Sequence, residues 1–352
     1  MIATFVPMTL PPLPEHPRVS IVIPCRNEAG FIARCLSSLE AAQLDRTRTT
    51  VLVCDGMSDD GTRAEIAGFT ARHPWIIMLD NVARTTPHAL NLGLRHTSFD
   101  VGIILGAHAE VEPDFVARNI ATLRSDPTVG CSGGVISNEY GDTTSRRIGA
   151  AMGHPFGVGG AHFRTGMRSG PVDTVAFGAY RREVFERIGW FNERLVRNQD
   201  DEFNFRLTKA GFRIMLDPAI RSRYHVRASY QRLFRQYRQY GYWKVYVNRL
   251  HGAITTLRQL VPAAWVAYLV AGLIACILFP VLGWAYLGGV LLYLVVAVAS
   301  AGTASGTARD ISGVVLAFSV LHLAYGIGYW QGILRFVLLR GEPSDLSTRS
   351  SR

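Results

Sequence analysis

The chain has 352 residues, of which 48% are hydrophobic and 18% charged, with a net charge of +10. That length suits two domains, and a charged fraction below the ~25% usual for soluble domains argues against disorder, a coiled coil and a wholly soluble protein. Five cysteines with no C-x-x-C pair exclude a disulfide framework and a cysteine zinc site, and fit a reducing compartment.

Residues 1–17 are Pro-rich, with no Lys or Arg ahead of an apolar stretch, so they predict no secretory signal. Short β-branched runs at 19–24, 50–54, 76–79 and 101–105 predict strands, and the patterns at 31–41, 61–72 and 87–95 predict helices between them. Strands alternating with helices predict a parallel sheet covered on both faces, with ligands at the carboxyl ends of its strands. Three polar clusters fall at those ends. They are Pro24-Cys25-Arg26-Asn27-Glu28 after the first strand, Asp55-Gly56-Met57-Ser58-Asp59-Asp60-Gly61-Thr62 after the second, and Gly106-Ala107-His108-Ala109-Glu110 after the fourth. Each alone is also ordinary turn and capping chemistry, as for Asp60 or Thr62 ahead of a helix. Their shared register along one sheet edge carries the functional reading.

Further on, the Gly-rich stretch 153–170 predicts a mobile loop, and 172–180 a strand ending in Gly178-Ala179. Gln199-Asp200-Asp201-Glu202 reads either as an acidic helix start or as a catalytic carboxylate cluster. His108 and His225 each read as a ligand or as a packed or interfacial histidine.

From 219 to 258 there are nine basic residues and no acidic one, interleaved with Tyr, Phe and Trp. Directly ahead of apolar segments, that composition predicts a helix at a headgroup interface rather than a nucleic-acid patch, and it places everything before it in the cytoplasm. Residues 259–308 carry no charge, nor do residues 311–334. At about 20 apolar residues per crossing, these runs predict three membrane spans, near 261–279, 281–300 and 311–334. Three crossings would put the carboxyl terminus outside the cytoplasm, although Arg335 and Arg340 follow the third.

The segments IVIPCRNE (21–28), CDGMSDDGT (54–62) and NQDDEFNFRL (198–207) resemble the motifs of the family 2 glycosyltransferases, in particular the succinoglycan-type ExoA subgroup. The resemblance spans roughly 19–252. It implies a GT-A fold, an α/β Rossmann-like mixed sheet, followed by transmembrane helices. The implied organisation is a tail at 1–17, a transferase domain at 18–226, interfacial helices at 227–259, a membrane domain at 260–335 and a polar tail at 336–352.

The resemblance also implies roles. Pro24, Arg26, Glu28, Asp55, Asp60, Asn91, Ala107 and Gly178 would line the nucleotide-sugar pocket. Asp200, set in register by Arg206, would be the general base of an inverting transfer, with a pKa raised by neighbouring carboxylates in a partly closed site. A divalent cation, Mn²⁺ or Mg²⁺, would be held by His108 and His225. The family's Asp-x-Asp reads Gly106-Ala107-His108 here, so Glu110 or Glu112 would stand in for the missing carboxylate. Arg235, Arg238, Tyr240 and Lys244 would meet an acceptor saccharide on polyprenyl diphosphate. The expected protein is a multi-pass inner-membrane enzyme with a cytoplasmic catalytic domain, adding one sugar, most simply from UDP-glucose, during exopolysaccharide or surface-glycan synthesis. The alternatives are a polyprenyl-phosphate sugar synthase and a degenerate, non-catalytic scaffold.

Overall fold

In the computed structural model, residues 8–166, 168–226, 229–305 and 307–343 are described. The chain forms two compact units. The first holds residues up to Asn138 together with His162–His225, and the second holds Glu139–Ala161 and everything from Val226 onward.

The chain opens β1 (Val19–Cys25), α1 (Phe31–Glu40), β2 (Thr49–Asp55), α2 (Thr62–Thr70), β3 (Ile76–Asp80), α3 (Thr86–His96) and β4 (Val101–Ile104). β5 (Ala109–Val111), α4 (Phe115–Arg124) and β6 (Val129–Tyr140) follow. Next come α5 (Thr143–Met152), α6 (Pro155–Val158), α7 (His162–Thr165), β7 (Gly170–Val172), β8 (Ala176–Arg181), α8 (Arg182–Ile188), α9 (Gln199–Lys209) and β9 (Arg213–Val226). The nine strands make one sheet in the order β3-β2-β1-β4-β8-β6-β9-β5, with β7 also on β9. The first four are parallel, as the alternation predicts. The β4–β8, β6–β8, β5–β9 and β7–β9 pairs are antiparallel, which makes the sheet mixed.

Every residue of β1 is buried. Ile21 and Ile23 pack with α1 on one face, and Val22 packs with Leu52 and α3 on the other. A strand alternates its side chains between faces, so a strand covered on both sides becomes a continuous apolar run. The parallel half is readable in the sequence for that reason.

The Gly-rich stretch differs from expectation. Within 153–170 the chain forms the short helices α6 and α7 and enters β7 instead of one loop, and α5 directly precedes it. Asp142 opens α5 with a capping box, its carboxylate accepting from the Ser145 N–H at 2.7 Å. Ile148, Ala151 and Met152 are then buried.

The second unit continues with α10 (Tyr230–His251), α11 (Val261–Leu278), α12 (Gly283–Ser305) and α13 (Ile311–Gly332), which runs on into a π-helical end at Ile333–Leu338. Three segments, Leu257–Leu278, Pro280–Ser305 and Ala308–Leu338, are long and apolar enough to cross a membrane.

Candidate active site

The site lies at the carboxyl ends of β1, β2 and β4, where the loops are laced together by side chains. After β1, Asn27 adopts a positive φ of 53°, a backbone region that Asn tolerates better than most residues. Its N–H donates to Ser58 Oγ at 2.9 Å, and its amide exchanges hydrogen bonds with Asp59 at 2.9 and 3.1 Å. The Glu28 N–H donates to Thr62 Oγ1 at 2.8 Å. Asp60 accepts from the Thr62 hydroxyl and N–H, at 2.5 and 3.1 Å. Burial pushes its carboxyl up, but those bonds and one from the Ala29 N–H outweigh it and hold the group below the ordinary carboxylate range. Asp60 thus braces the loops at the start of α2.

Asp55 is fully buried. It accepts from the Ser58 hydroxyl at 2.5 Å, the Ser58 N–H at 3.0 Å and the Arg63 guanidinium at 2.6 Å, while Arg63 reaches on to Asp80 at 2.8 Å. The sequence reading did not single out Arg63. It stands eight residues after Asp55, inside a helix, where nothing local marks it. Pro24 is buried beside this loop and Arg26 is half-buried.

Asn91 belongs to a different structure. Its amide nitrogen donates to the Phe191 carbonyl at 2.9 Å and to Glu193 at 2.8 Å, and its oxygen accepts from the Phe191 N–H at 3.0 Å. The amide clasps α3 to the segment after α8. With its oxygen and nitrogen engaged in this clasp, the nucleotide contact expected of Asn91 has no support in the geometry.

After β4, Ala107 is buried and His108 is nearly so. His108 Nε2 pairs with Glu28, and the His108 ring sits 4.2 Å from that of Phe31. His225, at the end of β9, pairs with Glu110 at 2.5 Å, and its N–H reaches the His108 carbonyl at 3.4 Å. A Cβ on Gly106 would stand 3.1 Å from the ring of Phe177, a residue held at a positive φ of 48°. Phe177 therefore lies where a first Asp-x-Asp carboxylate would begin. Gly178 is buried just after it.

These donors test the expected cation. His108 and His225 face one another across neighbouring strands, but each is closed on a carboxylate of its own. Burial, then the charge of Glu110, push the Cys35 thiol up, so Cys35 adds no thiolate. Among the described residues no group of three or more His, Cys, Asp or Glu converges on one point. The residues do not form a preformed metal site.

Asp200 is exposed in the first turn of α9 rather than in a partly closed setting. Arg206 sets that helix, donating to both oxygens of Glu202 at 2.8 and 2.9 Å and to the carbonyls of Ile188 and Trp190. One turn after Asp200, Asn204 accepts from the Tyr180 hydroxyl at 3.0 Å and donates to Thr174 at 3.2 Å. Burial, then the charges of Cys131 and Asp200, push the Tyr180 hydroxyl well above its ordinary value. Asn204 therefore ties α9 to β8, the strand that carries Phe177 and Gly178.

In the second unit, Arg235 and Arg238 are exposed on α10, and Tyr240 accepts from Gln236 at 2.8 Å. Lys244 differs from expectation. It is wholly buried, with Nζ 3.4 Å from Thr256 Oγ1, because α10 turns that face toward its own unit.

The model of the glycosyl transferase family 2 matches residues 20–189. A Methanococcus voltae protein, dolichyl N-acetyl-alpha-D-glucosaminyl phosphate 3-beta-D-2,3-diacetamido-2,3-dideoxy-beta-D-glucuronosyltransferase, is 30% identical over 63% of this chain and 71% of its own length. The succinoglycan biosynthesis protein ExoA of Rhizobium meliloti is 29% identical over 90% of this chain and 95% of its own. Among solved structures, the mannosyltransferase PcManGT from Pyrobaculum calidifontis, in complex with GDP-Man and Mn²⁺, has the same fold. It aligns with a TM-score of 0.61 at 20% identity, covering 92% of this chain and 90% of that one.

Proposed function

Because this chain belongs to glycosyl transferase family 2, we propose that it moves one sugar, with inversion, from a nucleotide-sugar donor to a lipid-linked saccharide at a membrane surface. The observation that carries this reading is the exposed Asp200 carboxylate, on a helix that Asn204 ties to β8 and whose register Arg206 locks. An exposed base is open to an acceptor hydroxyl, and the buried loop network around Glu28 and Asp55 supplies a rigid donor floor.

Asp200 takes the proton of the acceptor hydroxyl as that oxygen attacks the anomeric carbon of the donor. The bond from that carbon to the diphosphate breaks on the opposite face, and the configuration inverts. Asp55 and the 24–28 loop, with Ala107 and Gly178, hold the nucleoside and the sugar. A divalent cation, Mn²⁺ or Mg²⁺, bound to the donor's diphosphate would supply neutralisation of its charge. Arg235 and Arg238 meet the acceptor's phosphates, with Tyr240 beside them.

UDP-glucose is the proposed donor, polyprenyl diphosphate the proposed carrier, and exopolysaccharide or surface-glycan assembly the proposed setting. The ExoA similarity over nearly the whole chain supports that setting. The basic segment supports a cytoplasmic catalytic unit at the inner membrane.

The test uses membranes containing the full chain, supplied with labelled UDP- and GDP-sugars and scored for label in butanol-extractable lipid. Label should appear only with a lipid-linked saccharide present, and Asp200→Asn should abolish it. Transfer straight to a polyprenyl monophosphate would overturn the proposal in favour of a sugar–phosphate lipid synthase.

A further inference from the structure

Length and composition allow α11, α12 and α13 each to cross a bilayer, but packing within the second unit separates the third from the other two. α11 and α12 form an antiparallel hairpin. The Tyr268 hydroxyl donates to the Tyr286 carbonyl at 2.9 Å, the Tyr286 hydroxyl donates to the Leu269 carbonyl at 3.3 Å, and Trp265 stacks on Tyr293 at 4.3 Å. Only 6% of the apolar window of each is buried, against 50% for α13. At 18 and 23 residues, α11 and α12 are about 27 and 34 Å long, matching a hydrocarbon core of about 30 Å.

What buries α13 decides its depth. α10 lies along it from end to end. The Tyr230 hydroxyl donates to the Gly313 carbonyl at 3.0 Å near one end, and Arg249 donates to the carbonyls of Phe336 and Gly341, at 3.2 and 2.9 Å, at the other. Between them Asn248 donates to the Tyr329 hydroxyl at 3.1 Å. Glycine lets the two backbones touch: a Cβ on Gly241 would strike the Tyr325 carbonyl, and one on Gly328 that of Arg238. Yet α10 exposes Arg232, Arg235, Arg238 and Arg249. An arginine at mid-bilayer costs at least about 2.5–3.5 kcal/mol, and Arg235 and Arg238 lie well inside α10, so this helix stays at the surface. α13 runs beside it and stays there too.

The ends of α13 agree. At its start the buried Asp310 carboxylate accepts from Arg147 at 2.9 Å and pairs with Arg146 at 3.0 Å, both on α5. α5 lies in a segment that leaves the nine-stranded sheet after β6 and rejoins it at β7 without a span, so it shares the sheet's side of the membrane. At its finish the Tyr246 hydroxyl of α10 donates to Glu342 at 3.2 Å. The hairpin meets α13 over its basal half: Trp330 donates to the Ala263 carbonyl at 2.9 Å, and at mid-length of α12 the Tyr293 hydroxyl lies 2.9 Å from His322 Nδ1.

We infer that the α11–α12 hairpin alone crosses the bilayer, in place of the three crossings that the uncharged runs predict. α13 is a platform at the lipid surface, under α10 and across the hairpin's base. The carboxyl terminus stays on the catalytic face. This assignment also puts Arg335 and Arg340 on the side that the positive-inside bias favours.

The test fuses green fluorescent protein or alkaline phosphatase to each end of the full chain. Both ends should report the same face, fluorescent with inactive phosphatase. Opposite reports from the two ends would restore three crossings and overturn the inference. In a Cys276→Ser background, Val281→Cys at the hairpin turn should react with an impermeant maleimide from outside intact cells. Labelling only after permeabilisation would show that the hairpin does not cross. Neither readout depends on transferase activity.

Discussion

Glu28 and His108 are joined in the interior: the carboxylate meets Nε2 of the imidazole, with only 1% and 8% of the two side chains exposed. The pair ties the loop after β1 to the residues after β4, and the Glu28 N–H extends the tie to Thr62 at the start of α2. Removing one partner of a buried pair costs about 3–5 kcal/mol, because the other keeps its desolvation without its counterpart. Glu28→Ala should therefore lower stability by about 3 kcal/mol in chemical denaturation. Glu28→Gln, which can still hydrogen-bond, should cost clearly less. Equal stability in all three proteins would mean that the pair does not hold the loops.

Asp200→Asn keeps the shape of the first turn of α9 and removes the base. Turnover should fall by roughly 10²–10⁴-fold while nucleotide affinity, read by calorimetry, stays within a few-fold. Near-normal turnover would remove Asp200 from the proposed mechanism.

The closed His108–Glu28 and His225–Glu110 pairs predict that the free chain takes up Mn²⁺ weakly. Electron paramagnetic resonance should show bound Mn²⁺ only when UDP or GDP is added. His108→Ala should weaken that nucleotide-dependent uptake more than His96→Ala, a change at an exposed control histidine. Tight Mn²⁺ uptake by the free chain would instead reveal a preformed site.

Gly241 lies where α10 and α13 touch backbone to backbone. Gly241→Leu should destabilise the second unit by at least the 1–3 kcal/mol typical of overpacking, seen as faster proteolysis of detergent-solubilised protein. Gly288→Leu, at a position where a Cβ meets nothing, should leave proteolysis unchanged. If both variants resist protease like the parent, the close approach does not hold α13 to α10.

Acid should weaken the first unit. The Thr128 hydroxyl and N–H, then the Arg213 charge, hold the Asp126 carboxyl below its ordinary range despite a small opposing effect of burial. A depressed folded-state pKa contributes stability that is present above the unfolded value of ~3.9 and is lost as pH falls through the folded value. Denaturation midpoints should drop below about pH 4, and Asp126→Asn should flatten that drop. An unchanged pH profile in the variant would show that Asp126 contributes nothing to it.

The amino-acid sequence by itself determined the parallel half of the sheet, because β1, β2 and β4 are covered on both faces and read as unbroken apolar runs. It also placed the polar loops at their ends. The antiparallel half was less legible: β5 and β7 are three residues each, too short to show a period. Tertiary structure alone decided that Asn91 clasps Phe191, 100 residues away, that Arg63 closes on Asp55 and Asp80, and that Lys244 turns inward. It also decided what the uncharged runs mean. Freedom from charge makes a helix able to enter lipid, and that is a property of the helix's own residues. Its depth depends on its neighbours, and α13 is packed along α10, a helix that exposes four arginines.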